Sequence, residues 1–211
     1  MADSAQCTES VIKEAARQVF TAKGFAATRT EDIALAAGVN KALVNYYYRS
    51  KDRLFEAVFR EEMQELTQAM QRILNDKDLS IFDKIRAIVE NDFKLLLRNP
   101  DLPLFVMTEI ARNPELMHRC GVCEMKNDML DIFCAQIEEE VQCGTIEPVE
   151  PQMLWLNMVS LITMPFLARS WMAHLFGIDD KQYLKLMEQR REHIADFIIN
   201  SIQKKPTKQG A

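Results

Sequence analysis

The chain has 211 residues, 48% of them hydrophobic and 27% charged, with a formal net charge of −5. That length suits one small domain and one larger one. The low counts of Gly (6) and Pro (7), with little β-branched alternation, argue against a sheet protein and for an all-α chain. The N-terminus shows no basic region followed by an apolar core, so no secretory signal is expected and a cytoplasmic location is.

In chain order, the first apolar stripe is Ile12, Ala15, Ala16, Val19 and Phe20 on one helix, ended by Gly24-Phe25. Thr28 can cap a second helix, with Glu31 three residues later completing a capping box. Ile33, Ala34 and Ala37 recur on one face of it. Gly38 follows, where a chain leaving a helix commonly needs positive φ. Val39 can anchor the turn, and Asn40 is a plausible N-cap for a third helix from Lys41 to Tyr48. Val44 and Tyr48, four residues apart, should face inward, leaving Lys41, Ala42, Leu43, Asn45, Tyr46 and Tyr47 outward or flanking. This is the layout of a helix-turn-helix DNA reader, although the spacing alone also fits a helical hairpin with no DNA role. Ser50-Lys51 then opens a further run through Leu54, Phe55, Val58 and Phe59.

The whole block from Val11 to Arg60 resembles the N-terminal domain of the tetracycline-repressor (TetR) family of bacterial regulators. The resemblance rests on Ala15-Ala16, Phe20, Gly24, Thr28, Ile33-Ala34, Ala37-Gly38-Val39, Tyr48, Lys51 and Leu54. It implies a DNA-binding regulator, an N-terminal three-helix helix-turn-helix domain and a larger C-terminal helical domain for ligand binding and dimerisation. One position departs. Asn45 stands where the family usually has a tyrosine that touches a phosphate, and it is a candidate base reader instead.

Charge distribution agrees with that reading. Between Ile12 and Lys51 seven Lys or Arg face three acids, so this block is basic while the rest of the chain is acidic. The helix from Lys41 to Tyr48 is expected in the major groove of double-stranded DNA, with Lys41, Ala42, Leu43, Asn45 and Tyr46 against base edges. Thr28, Tyr47 and Lys51 are the expected phosphate holders, with the backbone amides of the helix that starts near Arg29. One such helix covers few base pairs, so a palindromic operator and a homodimer are expected.

The body reads as helix throughout: about Lys51–Leu74, Ser80–Arg98, Leu102–Arg112, Leu116–Cys143, Pro151–Phe176 and Asp179–Ile202. Breaks fall at Asn75–Asp78, Asn99-Pro100, Asn113-Pro114, Gly144 and Glu147–Pro151. The expected division is residues 8–68 for DNA binding, 69–203 for ligand binding and dimerisation, and a disordered polar tail at 204–211. The uncharged stretch Pro151–Ala168 is barely long enough to span a bilayer and is better read as a buried helix, so no membrane partner is expected. By resemblance, the last two helices pair with those of a second subunit. Met187, Ile194, Phe197 and Ile198, with Tyr183, form a suitable stripe.

A small-molecule effector is implied as well. Phe93, Leu97, Phe105, Met125, Met129, Phe133, Trp155, Met158 and Phe166 are the candidate pocket residues, with Met107 and Trp171 as further Met and Trp positions. Ordinary core packing is the competing role for each. Cys120-Gly-Val-Cys123 lacks a second close Cys or His pair, His118, His174 and His193 form no spaced ligand set, and Glu138–Glu140 reads as a solvated face. No catalytic residues, metal site or cofactor are expected. The expected function is a repressor released from its operator by an inducer. The alternatives are an architectural DNA-binding module and an apolar-ligand carrier or enzyme.

Overall fold

The computed structural model describes residues 2–120 and 122–204, the side chains of 2–6, 66 and 122–128 excepted. In chain order the helices are α1 (Ala2–Ala27), α2 (Thr30–Ala36), α3 (Lys41–Tyr48), α4 (Lys51–Asn75), α5 (Ile81–Arg98), α6 (Leu102–Arg112), α7 (Leu116–Arg119), α8 (Val122–Gln142), α9 (Pro151–Leu167), α10 (Arg169–Phe176) and α11 (Asp180–Ile202). The fold is all-α, with no strand among the described residues and one isolated bridge between Ile146 and Gln203. Two compact units divide the chain: residues 1–65 with 101–125, and 66–100 with 126–211.

The first unit departs from a linear division at residue 68. α6 and α7 belong with α1 to α3, although they follow α5 in the chain. The reason lies in aromatic packing. Phe25, Phe55 and Phe105 form a cluster with ring centroids 4.7 Å (Phe25–Phe55) and 5.9 Å (Phe55–Phe105) apart, and Phe105 also meets Phe59. α1 is broken at Gly24, whose φ of 75° is left-handed. The amide released by that break, Phe25 N–H, donates to the buried Glu109 carboxylate of α6 at 2.9 Å. A Cβ at Gly24 would lie 3.2 Å from the same carboxylate oxygen. On the other side of α1, Arg17 pairs with Glu61 and with buried Glu62, whose carboxyl is pushed up by burial against the pull of Arg17.

In the second unit α5 is capped by Ser80, whose Oγ accepts from Asp83 N at 3.2 Å. Its apolar face (Ile81, Ile85, Ile88, Val89, Phe93, Leu96) packs chiefly along α11, and also on α9. Buried Lys84 is satisfied by Leu74 O at 2.7 Å and Gln136 Oε1 at 2.8 Å, and burial lowers its pKa.

The expected single helix from Pro151 to Phe176 is two helices, α9 and α10, bent by 71°. Pro165 lacks the N–H that would bind Leu161 O. Arg190 Nη2 of α11 donates to that carbonyl at 3.3 Å, and Tyr183 Oη donates to Pro165 O at 3.0 Å. The helix ends two residues later. Among the described residues no single helix is long and apolar enough to cross a membrane. The expected helix from Leu116 to Cys143 is also divided, into α7 and α8, and Gly144 closes α8 with φ 71°. Cys123 lies outside the described side chains, as does all of the expected tail beyond Lys204. Cys120 is buried, which pushes its thiol up and away from reactive thiolate.

Candidate nucleic-acid interface

α2 starts one residue later than a Thr28 cap would place it. Arg29 is the N-cap, and the Asp32 carboxylate reaches back to accept Arg29 N–H at 2.9 Å. That bond, followed by Lys23, holds the Asp32 carboxyl below its usual range. Thr28 is only 1% exposed and donates its hydroxyl to Gly24 O at 2.8 Å, so the side chain expected on a phosphate is turned inside. Lys51 is corrected in the same way. Its Nζ donates to Phe25 O and Thr28 O, each at 2.9 Å, and lies 4.1 Å from the centre of the Phe25 ring. Between them the two residues hold the carbonyls of Gly24, Phe25 and Thr28, where the chain passes from the break in α1 to the start of α2.

The turn forms as its sequence requires. Gly38 has φ 66°, its N–H donates to Leu35 O at 3.2 Å, and Val39 N–H donates to Ala34 O at 3.0 Å. This is a Schellman end. Asn40 Oδ1 then caps α3 by accepting Leu43 N–H at 2.8 Å. Ile33, Ala34, Val44 and Tyr48 are buried, while Val39 is half-buried. Burial pushes the Tyr48 hydroxyl up to about 12, with Glu9 and Glu61 adding to it.

The other side of α3 is bare. Lys41, Ala42, Asn45 and Tyr46 are exposed, Tyr46 at 78%, and Leu43 and Tyr47 are half-buried beside them. The rings of Tyr46 and Tyr47 meet edge to face at 5.3 Å. Lys41 is tied to Glu31 at 2.6 Å, and that bond is the main reason the Glu31 carboxyl stays low. Arg49, at φ 60°, and Arg53 are exposed next to this face. Both were visible as charges in the sequence, but only the end of α3 and the start of α4 place them here.

Two family models divide the chain. Residues 12–58 match the bacterial regulatory proteins of the tetR family, and residues 82–198 match the tetracyclin repressor-like C-terminal domain. The chain belongs to the TetR family. Among curated relatives of this TetR-family transcriptional regulator, RutR of Escherichia coli K12 is 32% identical over 160 residues, covering 71% of each chain. The fatty acid metabolism regulator protein of Bacillus subtilis is 24% identical over 136 residues, covering 64% of this chain and 69% of that one. Solved structures share the fold. FadR of Bacillus subtilis, a complex with stearoyl-CoA, has a TM-score of 0.60 at 21% identity over 84% of this chain and 96% of that chain. HlyIIR, a hemolysin II transcriptional regulator, has a TM-score of 0.63 at 17% identity over 86% and 97%. These relatives are regulators rather than enzymes, and so is this TetR-family protein.

In the second unit of the TetR-family chain, Phe93, Met129, Phe133, Met158 and Phe166 share one buried core, with Leu97 and Trp155 packed against it. Ring pairs Phe93–Phe166 (5.8 Å) and Phe133–Trp155 (5.1 Å) join them. Phe105 is absent from that core because it lies in the first unit, and the Met125 side chain lies outside the described residues. The stripe expected at a subunit interface is also corrected. Met187, Ile194 and Ile198, with Tyr183, are buried within their own unit, and only Phe197 is exposed. What α11 shows outside is Leu186 and Phe197, and α9 shows Met153, Leu156, Val159 and Met164. α9, α10 and α11 enclose an open groove of about 880 Å³ lined by Leu161, Met164, Met172, Leu186 and Arg190 among others, and Arg190 Nε is buried there without an acceptor among the described residues.

Proposed function

We propose that this regulator is a homodimeric repressor that reads a near-palindromic operator with α3 in the major groove and leaves it when a small effector binds the second unit. The observation that carries the DNA reading is the division of α3 into a buried face (Val44, Tyr48) and a bare face (Lys41, Ala42, Asn45, Tyr46). Lys41 can donate to guanine N7 or O6, Asn45 can pair with adenine, and Ala42 and Leu43 can meet a thymine methyl. Tyr47, Arg49 and Arg53 are the proposed phosphate contacts, in place of Thr28 and Lys51. Lys41 must exchange Glu31 for a base, so Glu31 tempers affinity for any sequence.

The exposed apolar side chains of α9 and α11 support a dimer in which a second copy covers this face. A soluble regulator with no bilayer-length helix among its described residues suits the cytoplasm. An effector that binds the DNA-free conformation more tightly releases the operator, and a nearly complete switch takes about 5.5 kcal/mol of preference. α4, whose residues fall in both units, is the proposed lever. The stearoyl-CoA complex of the Bacillus subtilis neighbour supports effector binding in a body of this fold.

The test is selection of bound sequences from random duplex DNA, followed by competition of the recovered site against random duplex. A two-fold-symmetric site that Lys41→Ala/Tyr46→Ala protein no longer prefers is expected. Binding without sequence preference would refute the repressor reading and favour an architectural module.

A further inference from the structure

Within the first unit, the end of α1, the start of α4 and the α6–α7 segment enclose a hollow of about 340 Å³. That volume lies at the small end of the range for ligand pockets, roughly 300–1,000 Å³. Part of its lining is apolar, with Phe55 and Leu116 buried and Phe25 half-buried. The remainder is mostly polar and includes two acids, Asp52 and Glu109, and two arginines, Arg112 and Arg119. These charges are not equally free. Glu109 is buried and accepts Phe25 N–H, and Arg119 pairs with Glu56. Arg112 has Glu109 as its one ion-pair partner among the described residues, at 3.8 Å, which is longer than a hydrogen bond. Asp52, in the first turn of α4, makes no ion pair or side-chain hydrogen bond among the described residues, and neither does the side-chain amide of Asn113. The polar lining is closely fitted to α1, since a Cβ at Gly24 would lie 3.2 Å from Glu109 Oε1 and 3.6 Å from Arg112 Nη1.

A small pocket that offers one uncommitted cation, one uncommitted anion and an apolar surface matches a ligand with the same three parts. We infer that it binds a zwitterion of amino-acid size with an apolar side chain. The planar fork of Arg112 suits a carboxylate, which accepts two parallel N–H donors, and the Asn113 amide can add a third. Asp52 supplies the counter-charge for the ammonium. Phe25, Phe55 and Leu116 receive the side chain. A simple anion would meet two carboxylates and leave Asp52 unmatched, and a simple cation would meet two arginines. The site lies wholly in the first unit, apart from the effector proposed for the second, and neither reading depends on the other. It also touches the connection into α2, because Glu109 holds Phe25 N–H and Lys51 holds Phe25 O. A ligand here therefore bears directly on the unit that carries α3.

Titration calorimetry on the full-length protein tests the assignment with L-phenylalanine and two probes that each lack one charge, 2-phenylethylamine and 3-phenylpropanoate. Wild type is expected to bind L-phenylalanine at least tenfold more tightly than either. Arg112→Gln should lose at least tenfold for L-phenylalanine and for 3-phenylpropanoate, while 2-phenylethylamine stays within about twofold. Asp52→Asn should show the converse, losing L-phenylalanine and 2-phenylethylamine and keeping 3-phenylpropanoate. Both side chains are exposed, so wild-type helix content is expected of each variant and circular dichroism checks it. Each variant must also retain one probe, which a general loss of structure would not allow. No binding of L-phenylalanine by wild type, equal binding of the three probes, or an affinity for L-phenylalanine unchanged in both variants would each overturn the assignment. The last of these would put the ligand in the second unit instead.

Discussion

Lys51→Met separates two roles that the same lysine could have. In the structure its ammonium closes two carbonyls and rests on the Phe25 ring. Methionine keeps most of the stem and removes the donors. Two charge-assisted hydrogen bonds and a cation–π contact at a half-buried site amount to roughly 2–4 kcal/mol. Urea unfolding followed by tyrosine fluorescence should show a loss of that size. A phosphate contact would behave differently, because each contact contributes about 0.9 to the slope of log affinity against log salt, hence about 1.8 for a dimer. Fluorescence anisotropy on a labelled operator across a salt series measures that slope. We expect it to stay within error of wild type for Lys51→Met and to fall for Arg53→Ala. An unchanged stability with a slope reduced by about 1.8 would refute the internal role.

Other expectations concern separate parts of the molecule. Asn40→Ala removes the α3 cap and should cost about 1 kcal/mol by urea unfolding, with a matching loss of operator affinity. Glu31→Ala frees Lys41 and removes an anion beside DNA, so anisotropy should report tighter binding to operator and random duplex alike. Phe197→Glu places a charge in the exposed α9–α11 face, and sedimentation should then show a monomer with wild-type helix content. The Asp92 carboxyl, about 6 when folded against an ordinary 3.8, binds its proton more tightly in the folded state. The stability this contributes is complete below pH 3.8 and lost by about pH 6, a swing of about 3 kcal/mol. The stability of Asp92→Asn relative to wild type should therefore rise through that window, as followed by thermal midpoints at stepped pH.

The reading head was legible in the sequence because its signals are local. A Gly at the end of α2 and an Asn at the start of α3 are each satisfied within a few residues, and both form as their chemistry requires. Thr28 and Lys51 have other partners than phosphate because they hold backbone carbonyls between Gly24 and the start of α2, a connection that periodicity does not show. Met187, Ile194 and Ile198 failed for a different reason. α11 has two apolar faces, and helical spacing does not say which meets its own subunit. Phe105 was placed by chain order with the body, yet its rings of contact are Phe55 and Phe59.

The bond between Glu109 and Phe25 bears on how this reader could be transplanted. A gene fragment ending near residue 68 would contain all of α1 to α3 but lack Phe105 and Glu109. It would leave the Phe25 amide unpaired and strip a ring from the aromatic cluster. Grafting this specificity onto another sensor therefore requires residues 101–120 to travel with it, as a second and non-contiguous insert. A variant at Gly24 would also have to be chosen together with one at Glu109, since the two positions share a single space.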